Sequence, residues 1–114
     1  MRTIATKDDL DPVWKALADS TRRQILDLLR QGGRTTGAVC SAFPQVSRIS
    51  TIKHLRVLEE ADLVVVRPRG RERWNYLNPV PLQQIYECWM GPYQACWASA
   101  LLNLRDAVES REVE

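Results

Sequence analysis

The chain has 114 residues, of which 45% are apolar and 26% are charged, and its formal net charge is +2. This length supports one hydrophobic core but not two, and no apolar run approaches the roughly 20 residues of a membrane-spanning helix. Because the N-terminus lacks the apolar segment of a secretory signal, we expect a cytoplasmic protein with no membrane contact.

Two helices are predicted at the start of a single domain that covers residues 11–110, after a flexible stretch at residues 1–10. The first should begin at Asp11-Pro12, because aspartate caps a helix and proline is tolerated in its first turn. The second should be capped at Asp19-Ser20-Thr21 and should end at Gly32-Gly33. We interpret the arginines of the second helix as solvated, since its apolar face comprises Ile25, Leu26, Leu28 and Leu29.

Two further short helices, about four residues apart, have the spacing of a helix-turn-helix. The first of them is capped by Thr35 or Thr36 and is stopped by Pro44. The second covers about residues 47–61, begins at Ser47 and is predicted to be a recognition helix. A short polar face remains free to enter a groove of DNA, because the predicted buried stripe comprises Ile49, Ile52, Leu55 and Leu58.

A basic hairpin, which we call the wing, is predicted over about residues 63–77. Its two strands flank the turn Pro68-Arg69-Gly70-Arg71. A hairpin tip rich in arginine is suited to a phosphate backbone or to the minor groove. At a period of two residues, we expect alternate side chains to pack inward and outward: Trp74 and Tyr76 inward, Arg73 and Asn75 outward.

The C-terminal part is predicted to form two helices over about residues 81–110, after the break Asn78-Pro79-Val80-Pro81 and with Gly91-Pro92 between them. The last helix carries a long apolar stripe that a monomer of this size would struggle to cover. It comprises Tyr93, Trp97, Ala100, Leu101, Leu104 and Val108.

The charge is unevenly distributed along the chain. Residues 45–77 contain seven Lys/Arg and four Asp/Glu, a balance of +3, whereas the rest contains nine and ten, a balance of −1. A local excess of cations favours phosphate binding, although on charge alone a solvated surface fits equally well. The order of recognition helix, strand and basic hairpin decides for a duplex DNA binder of the winged helix-turn-helix kind.

Three stretches of the sequence resemble the arsenic-repressor (ArsR-type) family of winged-helix regulators. They are WKALADSTRRQIL at residues 14–26, KHLRVLEEADLV at 53–64 and YLNP at 76–79. The resemblance implies a mainly α fold with a small β-hairpin, in which the N- and C-terminal helices form a dimer interface. The Trp- and Tyr-bearing tail is similar to an autorepressor-like subgroup rather than to the metal-sensing members.

The resemblance further implies a homodimeric regulator, usually a repressor, whose partner is double-stranded DNA with a near-palindromic operator. A two-fold dimer places its recognition helices about one turn of DNA apart, roughly 34 Å. We expect the dimer interface to include Trp14, Leu17, Trp89, Tyr93, Trp97, Leu101 and Leu104.

The predicted DNA contacts lie on the recognition helix and on the wing. Arg48 or Lys53 is suited to guanine in the major groove, or else to phosphate. Ile52 stands where many family members have a serine that faces DNA, which shifts the expected base contacts to its neighbours. The full predicted set is Ser47, Arg48, Ser50, Thr51, Lys53, His54 and Arg56 on the helix and Arg67, Arg69, Arg71 and Arg73 on the wing.

Several of these residues have alternative roles. His54 contacts DNA or makes a local hydrogen bond. Arg69 and Arg71 are the strongest phosphate candidates, whereas Arg67 and Arg73 could instead pair with Glu72 or another nearby acid.

No metal and no cofactor are predicted. The metal-sensing members carry Cys-x-Cys in the third helix, where this chain has the single thiol of Cys40. Cys88 and Cys96 are eight residues apart, about 12 Å along a helix, which is too far to share one metal ion. A site that joins Cys40 to one of them, or that crosses the dimer, is the alternative.

The sequence lacks a serine-histidine-acid set, a glycine-rich phosphate loop and paired carboxylates in a cleft, so no enzyme is predicted. Two alternatives to a plain repressor stay open. One is a thiol- or ligand-responsive regulator of the same fold, and the other is a winged-helix protein-interaction module whose basic hairpin binds an acidic partner.

Overall fold

The computed structural model describes residues 8–113, with side chains described for residues 9–94 and 98–110. The flexibility predicted for residues 1–7 therefore lies outside the described residues. Asp8–Leu10 form a 3-10 helix, and Leu10 is only 2% exposed in the hydrophobic core. The prediction that flexibility extends to residue 10 is wrong at this end, because an apolar side chain that enters the core fixes the chain before the first α-helix.

The first two α-helices are α1 (Asp11–Leu17) and α2 (Ser20–Arg30). Asp11 does not cap α1, because the capping position is Leu10 and has no side-chain hydrogen bond. Asp19 caps α2 as predicted, since its Oδ1 accepts a hydrogen bond of 3.1 Å from the backbone N–H of Arg22. Beyond α2 the chain turns at Gly32, whose φ of +144° favours glycine.

Helices α3 (Thr36–Ala42) and α4 (Arg48–Glu60) form the helix-turn-helix. Thr35 caps α3 by accepting a hydrogen bond of 3.1 Å from the backbone N–H of Ala38, so Thr36 is the first helical residue rather than the cap. Ser47 caps α4 in the same way, with a 3.1 Å bond from Ser50. Both caps use the hydroxyl three residues before the N–H it binds.

The buried face of α4 differs from the predicted one. Thr51, Leu55 and Leu58 are buried, whereas Ile49 is 69% exposed and Ile52 is half-buried. The predicted stripe took every third residue, and three residues turn an α-helix by about 300°, so such a stripe drifts around the axis. Spacings of four and then three residues stay on one side, which is the pattern that the core of this protein follows.

A three-stranded antiparallel sheet forms the wing and its base, in the order β1-β3-β2. Strands β2 (Val64–Arg69) and β3 (Glu72–Leu77) are the predicted hairpin, with Gly70 at a φ of +60° in its turn. The two-residue strand β1 (Arg34–Thr35) is too short to be recognised from the sequence and pairs with Asn75 and Trp74. Asp62, between α4 and β2, adopts the left-handed conformation with a φ of +59°, which aspartate tolerates better than most residues other than glycine.

The inward and outward faces of β3 were predicted wrongly. Asn75 is 2% exposed, and its Nδ2 donates to the carbonyl of Arg34 at 3.2 Å and to Oγ1 of Thr36 at 3.1 Å. Trp74 and Tyr76 are only half-buried on the opposite face. A buried side-chain amide is tolerated when its N–H groups are hydrogen-bonded. The two acceptors here belong to Arg34 and Thr36, and the apolar alternation within β3 carries no information about them.

The C-terminal region is helical without a gap. Helix α5 (Val80–Ile85) leads through a π-helical turn, Tyr86–Met90, into the 23-residue α6 (Gly91–Val113). The expected break at Gly91-Pro92 is absent. Pro92 has no N–H to donate, and the residue just before it, Gly91, donates its N–H to the carbonyl of Tyr86 five residues earlier. Within residues 8–113, no helix is both long enough and apolar enough to cross a membrane.

The core lies between α1–α4 and the base of the sheet, and α5 closes it with Ile85. By contrast, every described side chain from Ala98 to Ser110 on α6 is exposed. The protein is thus mainly helical, with a small antiparallel sheet that holds the wing beside α4.

Candidate nucleic-acid interface

The first turns of α4 present cations and one apolar side chain to solvent. Arg48, Lys53 and Arg56 are exposed, and Ile49 stands among them. A cation suits guanine or phosphate, and an exposed aliphatic group suits the methyl group of thymine. The sequence reasoning missed Ile49 as a surface residue, because it assigned every isoleucine of this helix to the core.

Ser47 and Ser50 are held to each other at the start of α4. Besides accepting from the backbone N–H of Ser50, Ser47 donates its hydroxyl to the Oγ of Ser50 at 2.9 Å. Ser47 is exposed and Ser50 is half-buried. Both therefore position the helix end, and Ser47 remains accessible from outside.

Thr51 cannot contact DNA in this fold. It is 0% exposed, and its side chain points into the core beside Leu55 and Leu58. The prediction that Thr51 binds DNA is wrong for the same reason that the predicted buried stripe of α4 is wrong.

His54 is engaged inside the protein rather than facing away from it. Its Nδ1 lies 3.2 Å from Nη1 of Arg22 on α2, and since a guanidinium only donates, the imidazole nitrogen accepts. Arg22 also donates from Nε to the carbonyl of Ala16 at 2.8 Å and from Nη2 to that of Lys15 at 3.0 Å. Of the two roles considered for His54, the local hydrogen bond is the one observed, and Arg22 is a structural clamp between α1, α2 and α4 rather than a solvated charge.

The cap of α2 belongs to the same cluster. The hydrogen bond from the backbone N–H of Arg22 lowers the pKa of Asp19, and this outweighs the opposing effect of slight desolvation. The positive charge of the Arg22 guanidinium lowers the pKa of Asp19 further. The carboxylate therefore stabilises the start of a helix that holds α4 in place.

Three of the four arginines of the wing are divided between its two faces, and the fourth lies at its tip. Arg67 and Arg69 lie on the same face as Trp74, whose directly opposite partner is Arg67, and the guanidinium of Arg69 stands 5.6 Å from the Trp74 ring centroid. Arg73 lies on the other face, toward α4, and its Nη2 is 3.7 Å from Oε2 of Glu59. Arg71 is exposed beside Gly70 at the tip. The predicted acid partner of Arg73 exists, but it is on α4 rather than on the wing.

A cleft of about 530 Å³ separates α4 from the wing and from the start of α3. Apolar side chains, Ile52 and Val66 among them, contribute to its lining. Its charged lining residues are four cations and two anions: Arg48, Arg56, Arg71, Arg73, Glu59 and Glu72. The cleft brings together cations from both predicted elements, and its excess of positive charge favours an anionic backbone.

A second surface is apolar and is formed by residues of α1 and of the C-terminal helices. Trp14 of α1 is 42% exposed and packs edge to face on Trp89, with ring centroids 6.1 Å apart and planes at 87°. Leu17 is half-buried against the core, so it contributes less surface than predicted. The side chain of Trp97 lies outside the described residues. Other exposed large apolar residues of the C-terminal helices are Tyr86, Met90, Tyr93, Leu101, Leu102, Leu104 and Val108.

Cys40 and Cys88 are both half-buried. Among the side chains that the structure describes, no three His, Cys, Asp or Glu residues lie together as metal ligands would. The side chain of Cys96 is not among them.

A family described as a helix-turn-helix domain matches residues 17–67 of this chain. An HTH-type transcriptional regulator of Mycobacterium tuberculosis is 43% identical over 107 residues, which cover 94% of this chain and 95% of that protein. The transcriptional repressor SdpR of Bacillus subtilis is 36% identical over 81 residues, which cover 71% of this chain and 88% of the repressor.

Solved structures agree with these similarities. A crystal structure of an ArsR family transcriptional regulator superposes with a TM-score of 0.72 at 28% identity, covering 85% of this chain and 98% of that one. A homodimeric winged helix-turn-helix DNA-binding domain from Mycobacterium bovis, a possible ArsR-family regulator, gives a TM-score of 0.61 at 28% identity over 73% of this chain and 82% of its own. The chain therefore belongs to the ArsR family of winged helix-turn-helix transcriptional regulators, and its predicted role as a DNA-binding regulator is confirmed.

Proposed function

We propose that this regulator is a homodimeric repressor that binds a near-palindromic duplex operator through α4 and the wing. The observation that carries the proposal is the cleft in which cations of α4, Arg48 and Arg56, face cations of the wing, Arg71 and Arg73. Repression and a dimeric state are named for relatives of this chain, a repressor of Bacillus subtilis and a homodimeric domain of Mycobacterium bovis. Since such relatives are bacterial, the regulator would act in the cytoplasm.

In the proposed complex, the first turns of α4 enter the major groove. Arg48 and Lys53 bond to guanine or to phosphate, and Ile49 contacts a thymine methyl group. Arg69 and Arg71 follow the sugar-phosphate backbone from the wing, with Arg69 held in place by the ring of Trp74. Ser47 adds a hydroxyl contact at the end of the helix.

The test is selection from randomised duplex DNA, followed by fluorescence-anisotropy titration of the winning sequence at two salt concentrations. We expect a near-palindromic winner with half-sites about one helical turn apart. Arg71→Ala should reduce the slope of log K against log salt by about 1.8, because the dimer loses one phosphate contact, worth about 0.9, from each of its two subunits. Arg105→Ala is the matched control, because it removes the same charge from α6, where Arg105 pairs with Glu109 at 3.9 Å.

Weak binding with no selected sequence would refute the operator and would favour the protein-interaction module. A selected sequence whose affinity changes on alkylation of the thiols would instead favour the thiol-responsive regulator.

The proposed dimer covers the exposed stripe of α6 that includes Tyr93, Leu101 and Leu104, which are 54%, 63% and 62% exposed in the single chain. Burial of side chains this large is a strong driving force for association. Leu101→Glu should shift the sedimentation coefficient toward that of a monomer, whereas Ser99→Glu, on the other side of the same helix, should not. A wild-type protein that sediments as a monomer at micromolar concentration would contradict the dimer.

A further inference from the structure

Glu59 stands in the last turn of α4 and faces the wing across the candidate cleft. Its Oε2 is 3.7 Å from Nη2 of Arg73, and the two side chains are 44% and 62% exposed. This ion pair joins the recognition helix to the wing. Since exposed ion pairs are weak and yield to solvent and salt, a DNA phosphate can displace the carboxylate.

Glu59 is placed to repel the phosphates of DNA rather than to contact its bases. Eleven residues separate it from Arg48, which is about 16 Å along an α-helix, so it lies far from the turns that enter the groove. It nevertheless lines the same cleft as Arg56 and Arg73. A phosphate that enters this part of the cleft therefore meets a carboxylate that repels it as well as cations that attract it.

We propose that Glu59 is a positioning residue that holds Arg73 against α4 in the free protein and competes with DNA phosphate for it. This inference rests on the proposed function, because it assigns to Glu59 the regulation of the same interface. Glu59 thereby lowers sequence-independent affinity for DNA. It also makes the contribution of Arg73 depend on displacement of the carboxylate.

The adjacent Glu60 provides a matched control. It is exposed on the same helix but lines a different cleft, of about 400 Å³, between α1 and the end of α4, together with Lys15 and Val57. Glu59→Gln and Glu60→Gln change the net charge equally, so any long-range effect of charge is common to both variants.

The experiment compares the full-length variants with wild type in anisotropy titrations against a random-sequence duplex at 50–200 mM salt. Glu59→Gln should tighten binding at the lowest salt by about five-fold for each subunit that contacts the duplex, which corresponds to one unit-charge interaction at 4 Å in water. It should also steepen the slope of log K against log salt by up to about 0.9 for each such subunit. Glu60→Gln should change the affinity less than two-fold.

A double-variant cycle with Arg73→Gln identifies the mechanism. If Glu59 acts by competing for Arg73, the gain from Glu59→Gln should fall below two-fold in the Arg73→Gln background. Equal effects of Glu59→Gln and Glu60→Gln, or a gain that persists without Arg73, would overturn the inference. Wild-type protein that binds no duplex even at the lowest salt would instead refute the proposed function, and the two failures are thus distinguishable.

Discussion

Replacement of Thr51 by valine is expected to stabilise the protein. The side chain is 0% exposed, and among the residues that the structure describes its hydroxyl has no hydrogen-bond partner. Threonine and valine have nearly the same shape and a similar helix propensity. Thr51→Val therefore removes a buried polar group without creating a cavity or altering the preference of α4 for a helix.

The magnitude follows from the burial. A buried polar group without a hydrogen bond costs about 1–3 kcal/mol, and the methyl group that replaces it adds apolar contact. We expect the free energy of unfolding to rise by about 1–2 kcal/mol and the Tm by about 4 °C or more. Thr36→Val is the matched control, because Oγ1 of Thr36 accepts from the buried Asn75 amide at 3.1 Å. Loss of this hydrogen bond should lower the free energy of unfolding by about 1 kcal/mol.

Both variants are compared with wild type by thermal and urea denaturation at one protein concentration, since the stability of a dimer depends on concentration. A second measurement is affinity for the selected duplex, which Thr51→Val should leave within two-fold of wild type. A lower Tm for Thr51→Val would refute the assignment of an unsatisfied hydroxyl. A loss of DNA affinity by a well-folded Thr51→Val protein would restore Thr51 as a DNA contact.

Two further predictions concern local structure. Asp19→Ala should lower the free energy of unfolding by about 1 kcal/mol at neutral pH, because the helix cap is lost. Since the pKa of Asp19 is lowered in the folded state, this deficit relative to wild type should persist above about pH 4. In urea titrations it should narrow as the pH falls through the lowered pKa. A deficit that is constant down to pH 2 would contradict this. Gly33→Ala places a Cβ in steric overlap with the ring of Tyr76, so it should lower the free energy of unfolding by about 1–3 kcal/mol, whereas Gly37→Ala, whose Cβ meets nothing within 4 Å, should not. Equal Tm values for these two variants would refute the close approach.

Features that depend on neighbouring residues could be predicted from the sequence. The caps at Asp19, Thr35 and Ser47 each bond to an N–H three residues later, so the residue types within one turn are sufficient to indicate them. The helix-turn-helix and the hairpin turn follow from similarly short patterns. The exposed arginines of the wing were identified for the same reason, since hairpin tips are exposed in most proteins.

Features that depend on residues distant in the sequence could not be predicted from local patterns. The bond from Arg22 to His54 joins positions 32 residues apart, and that from Asn75 to the carbonyl of Arg34 spans 41. Nothing in the local pattern of β3 or α2 indicates these partners, so the role of the histidine was left between DNA and a local hydrogen bond, and the asparagine was assigned to solvent. The side of α4 that is buried is likewise determined by the helices and strands packed on it. A spacing of three residues placed the neighbours of Thr51 in the core and Thr51 itself on the surface, whereas the structure buries Thr51.

The π-helical turn at Tyr86–Met90 has a consequence for the geometry of the assembled regulator. Its hydrogen bonds span five residues instead of four, so it inserts one residue into the helical ladder between α5 and α6. One residue corresponds to about 100° of rotation about the helix axis. In the proposed dimer, this turn therefore sets the azimuth at which α6 meets its partner, and with it the angular phase of the two recognition helices around the DNA. Deletion of one residue from this turn would leave each winged-helix fold intact and yet rotate the second recognition helix away from its half-site.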